Sequence, residues 1–75
     1  MVSAPDLTTG DRIYFKDNGY VITYHGTIDG KYFRFVGHDG DVSLKTEAEV
    51  NHILHACRVN TYDANGHNLR KTMHV

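Results

Sequence analysis

The sequence predicts an α+β fold that is mainly antiparallel β. We expect a small curled sheet of five to six strands with one helix at about 47–57, in the order ββββ-α-ββ. Three observations predict it. Short runs alternate apolar and polar residues, as strands with one buried face do. Between the runs stand Asn18-Gly19, Asp29-Gly30, Asp39-Gly40 and Asn65-Gly66, pairs that accept positive φ and so make tight turns. After Thr46 the period lengthens from two residues to helical spacing.

Residues 1–9 show no periodicity and are expected to form a loose lead-in to one domain spanning 1–75, with Leu7 pinning it to the core. In Arg12-Ile13-Tyr14-Phe15-Lys16, Ile13 and Phe15 point one way and the other three the opposite way. The next strand, Tyr20 to Ile28, directs Ile22 and Ile28 inward. Its Gly26 is unfavourable in a flat strand and predicts a bend or bulge that curls the sheet. Lys31 to Val36 places Phe33 and Phe35 on the core side, leaving Tyr32 and Arg34 outside. Val42-Ser43-Leu44 alternates once more, with Leu44 expected inside.

Thr46-Glu47-Ala48-Glu49 is a capping box, in which hydroxyl and carboxylate each satisfy a free N–H of the first helical turn. Val50, Ile53, Leu54 and Cys57 then form one apolar stripe, which predicts a helix from Glu47 to Cys57. Val59 to Tyr62 returns to strand character. Leu69 to Val75 is expected to pair back, with Leu69 and Met73 inward.

Composition narrows the classes of function. Seventy-five residues bury a small core, and with one cysteine no internal disulfide supports it. That lone thiol and the absence of a signal-like N-terminus predict a cytoplasmic location. No apolar run is long enough for a membrane span. The net charge of -1 argues against strong duplex binding, which needs an excess of cations for phosphate contacts.

Leu7 to Ile13, containing Gly10-Asp11, followed by Gly26-Thr27-Ile28, resembles the opening of SH3-like small barrels of the KOW and Tudor kind. In those families a Gly-Asp pair leads into the first strand and a Gly-x-Val/Ile step bends the second. The resemblance covers about residues 7–36. The helix at 47–57 is an addition that neither family requires. Lys31 to Val36 also resembles a strand of cold-shock domains, but Tyr32 and Arg34 stand where that family has glycines that keep the surface open for bases. The two likenesses imply an SH3-like or OB-like partial barrel.

Candidate chemistry is sparse. Glu49, His52 and His55 share a helix face, but zinc takes three or four ligands and no others join them in sequence, so both histidines are read as solvated. Cys57 falls on the apolar stripe and is read as an inert core thiol. Asp29, Asp39, Asp41 and Asp63 sit beside turn residues, and turn chemistry accounts for them. No nucleophile with its base and no phosphate loop is present, which predicts a protein that is not an enzyme and needs no cofactor or metal.

One surface stands out. Tyr14, Lys16, His25, Tyr32 and Arg34 point outward from neighbouring strands and form the candidate partner-binding set. Tyrosine and arginine dominate binding hot spots. The sequence therefore predicts a small protein-binding module, an adaptor or inhibitor. The alternative is a nucleic-acid-binding small barrel using the same face, since aromatic and cationic side chains also serve single strands. A homodimer that completes the small core is a further expectation.

Overall fold

The structure is a computed structural model, and it describes residues 3–69. Its strands are β1 (Arg12–Phe15), β2 (Val21–Ile28), β3 (Tyr32–Gly37), β4 (Val42–Thr46) and β5 (Val59–Tyr62), with helix α1 (Glu47–Leu54) between the last two. They form one antiparallel sheet in the order β4-β3-β2-β1-β5. The predicted class is therefore observed, and of the expected order ββββ-α-ββ the described residues show ββββ-α-β. The sheet does not close into a barrel: β4 and β5 lie at its two ends and do not pair. Of the expected last strand, Leu69 to Val75, residues 70–75 lie outside the described residues, Met73 among them. Within them, Tyr62 and Asn68 form an isolated bridge and Leu69 packs on the core.

The hairpins follow from local chemistry. Asp29 and Gly30 both take positive φ, 57° and 65°, which allows the tight turn between β2 and β3. Gly26 has φ 98°, and the β2–β3 register shifts between Tyr24 and Thr27, so the predicted bend is an irregularity of one residue. That shift has a consequence for side-chain direction. Tyr24 pairs with Phe35 before it, and Ile28 pairs with Tyr32 after it. Residues directly opposite share a face, so Ile28 is carried to the outer side with Tyr32 and is only half-buried.

The core lies between one face of the sheet, here the inner face, and α1. Ile13, Ile22, Tyr24, Phe33, Phe35 and Val59 contribute from the sheet, and Val50 and Leu54 from the helix. Burying one such side chain contributes about 1.5–3 kcal/mol. Leu44, expected in this core, is instead exposed. It pairs with Arg34, so the two must share the outer face.

The capping box is present, with Thr46 Oγ1 accepting from Glu49 N–H at 3.3 Å and Glu49 Oε1 accepting from Thr46 N–H at 2.9 Å. The helix ends at Leu54 rather than Cys57. Lys16 N–H donates to Arg58 O at 2.9 Å, so the chain must already be extended by Arg58 to continue the β1–β5 ladder. Cys57 thereby leaves the apolar stripe and is exposed, which corrects its reading as a core thiol, and Ala56 packs there instead. The lead-in is also more ordered than expected. Ala4–Asp6 form a 3-10 turn, Ala4 is buried, and its N–H donates to Asn51 Oδ1 of α1 at 2.7 Å.

Candidate interaction surface

The pairing of β3 with β4 sets the geometry of the outer face. Gly37 N–H donates to Asp41 O at 2.7 Å, which makes Gly37 and Asp41 a hydrogen-bonded pair. In an antiparallel ladder such pairs alternate with non-hydrogen-bonded ones, whose side chains approach more closely. The non-hydrogen-bonded pairs are then Val36–Val42, Arg34–Leu44 and Tyr32–Thr46. Their side chains share the outer face. Their β4 members also aim backbone N–H and C=O groups at the open edge. Thr46 N–H is taken by Glu49. Among the described residues, Val42 and Leu44 therefore combine an outward apolar side chain with outward, unpaired backbone groups.

Exposure marks the same place. Among the described residues, the large hydrophobic ones left exposed are Tyr14 (38%), Tyr32 (40%), Leu44 (51%) and Val42 (60%), and all but Tyr14 lie on β3 and β4. Arg34 stands among them, opposite Leu44 and one pair away from both Tyr32 and Val36. His25 is exposed at the register shift, where it and Gly26 together oppose Arg34.

Of the predicted set, the structure thus gathers His25, Tyr32 and Arg34. Tyr14 pairs with Val21, which is hydrogen-bonded to His38 just past the far end of β3, so it lies at the opposite end of the ladder from Tyr32. Lys16 is beyond the end of β1, and its Nζ donates to Cys57 O at 3.3 Å. Val42 and Leu44 were not in the predicted set. Their outward direction follows from the register, which sets Leu44 opposite Arg34 and Val42 opposite Val36.

The inner side of the same edge holds an open cleft of about 300 Å³. Phe15, Tyr20 and Ile22 line it, with Asp41 and, from β4, Ser43 and Lys45 along one side. Tyr20 lies across the backbone of Gly37, where a Cβ would collide with its hydroxyl. That hydroxyl donates to Asp39 Oδ1 at 2.7 Å, and the ring stacks obliquely on His38 at 4.6 Å. The bond to Asp39 pushes the Tyr20 phenol up to about 12. The same bond, with Asp41 N–H as a second donor, holds the Asp39 carboxyl below its usual range.

Among the described residues, no three His, Cys, Asp or Glu side chains converge as a metal site. Glu49, on the same helix face as His52 and His55, has its carboxylate in the capping box. No described helix is long and apolar enough to cross a membrane. No protein-family model, no curated protein and no solved structure matches this chain.

Proposed function

We propose that the protein is a small, non-enzymatic protein-binding module, an adaptor or inhibitor, that recognises its partner through the outer face of β3 and β4. Tyr32, Arg34, Val42 and Leu44 form the contact surface, and His25 stands at its rim. The observation that carries this reading is the coincidence of exposed apolar side chains with an open sheet edge. Exposed apolar clusters rimmed by polar groups mark interaction sites, and tyrosine and arginine are frequent anchors within them. The SH3-like resemblance of residues 7–36 belongs to the same proposal. It would supply a scaffold, while the site alone determines what is bound.

The test is affinity capture with the immobilised protein, comparing wild type with the double variant Tyr32→Ala, Arg34→Ala. Both side chains are exposed, so the variant keeps the wild-type circular dichroism and loses the captured protein. Undiminished capture would place the contact elsewhere. Capture of polynucleotide alone, falling steeply with salt, would favour the nucleic-acid reading.

A further inference from the structure

The open edge of β4 carries a self-complementary sequence. When Asp41-Val42-Ser43-Leu44-Lys45 is laid antiparallel to a copy of itself about Ser43, Asp41 meets Lys45, Val42 meets Leu44 and Ser43 meets Ser43. Charge and hydrophobicity are both matched by the same two-fold operation, as an isologous interface requires. We propose that a second copy of this chain pairs antiparallel along β4 about a two-fold axis at Ser43, joining two five-stranded sheets into one.

Backbone groups select this register. Val42 and Leu44 are the β4 residues whose N–H and C=O groups both face the open edge without a partner among the described residues. The next outward positions are already engaged, since Gly40 N–H donates to Gly37 O and Thr46 N–H donates to Glu49. Only the axis at Ser43 brings Val42 opposite Leu44 in both halves, so every free group finds a partner. An axis at Leu44 would set Val42 against the occupied Thr46 and Asp41 against Glu47. An axis at Val42 would set Leu44 against the turn at Gly40.

Side chains agree with the backbone. Val42 and Leu44 would stack across the junction on the outer face, and Asp41 and Lys45 would pair across it on the inner face. Neither Asp41 nor Lys45 forms an ion pair within its own chain among the described residues. The charged neighbour of Lys45 is Glu49, whose carboxylate the capping box occupies. An edge of this kind is ordinarily blunted by charge, proline or a bulge. Here the charges are placed so that they favour one partner, another copy in register.

The inference does not depend on recognition of a different protein by the outer face, and its test is separate. Sedimentation equilibrium of the whole chain is expected to show a concentration-dependent dimer. Asp41→Lys and Lys45→Asp each set like charges opposite one another, and each is expected to weaken self-association about ten-fold or more. Mixed together, the two variants restore the opposite-charge pairs and re-form a dimer of one copy of each. Leu44→Pro deletes an edge-facing N–H without removing a β3 hydrogen bond, and it leaves a folded monomer. A wild type that stays monomeric at millimolar concentration, or variants that fail to associate on mixing, would overturn the proposal. A wild type that forms no dimer but still captures a partner through Tyr32 and Arg34 would overturn this inference alone.

Discussion

Tyr20 lies over Gly37 because a glycine there leaves room for its ring, and its hydroxyl reaches Asp39. Two pH limits follow from that bond. The phenol is raised in the folded state, so its contribution to stability is complete below the unfolded value near 10 and is lost as pH rises through about 12. The Asp39 carboxyl is lowered, so its contribution is complete above the unfolded value near 4 and is lost as pH falls through the lower folded value. A phenolate absorbance titration should show a tyrosine with a midpoint near 12. Asp39→Asn should bring that midpoint back towards 10, while Tyr24, raised by burial, keeps its own upward shift. Equal midpoints for Tyr20 in both proteins would contradict the bond. Thr61 supplies a second residue-scale test. It is fully buried, and its Oγ1 has no partner among the described residues. Thr61→Val removes an unsatisfied hydroxyl while keeping the shape, so it should stabilise the fold by about 1 kcal/mol in urea unfolding.

At the scale of elements, the turns and the start of the helix were legible because each rests on local chemistry. Asp29-Gly30 and the capping box at Thr46 need only their own few residues. Thr46→Ala should lower stability by about 1 kcal/mol, read from the urea midpoint, because it strips the first turn of its side-chain acceptor. What could not be read locally was the direction of Ile28, just past the irregularity at Gly26, and of Leu44, which depends on the register of β4 against β3. Alternation alone put Ile28 and Leu44 inside. The shift in β2 and the pairing of Leu44 with Arg34 put them outside. The helix end was illegible for a related reason. The apolar stripe extends to Cys57, but Arg58 is claimed by the ladder to Lys16, and that long-range pairing stops the helix early.

Over the whole molecule, these outward directions concentrate apolar surface at one open edge. Ile28, Tyr32, Val36, Val42 and Leu44 share the outer side of the β2–β4 half, while Tyr14 is left at the opposite end of the ladder. His25, Tyr32 and Arg34 were legible as outward residues from alternation alone. Val42 and Leu44 were not, because an apolar residue in a strand is assigned inward unless the register is known. A domain this small buries only about 60% of its chain surface. It therefore has little stability to spend on an idle apolar edge, and partner binding or self-pairing would remove that edge from water.

The most direct test of the outer face is quantitative affinity capture comparing wild type with two variants, Tyr32→Ala, Arg34→Ala and, separately, Tyr14→Ala, each checked by circular dichroism. The expected result is capture retained by Tyr14→Ala and lost by the double variant. Capture lost with Tyr14→Ala and retained without Tyr32 and Arg34 would contradict the assignment of the β3–β4 face.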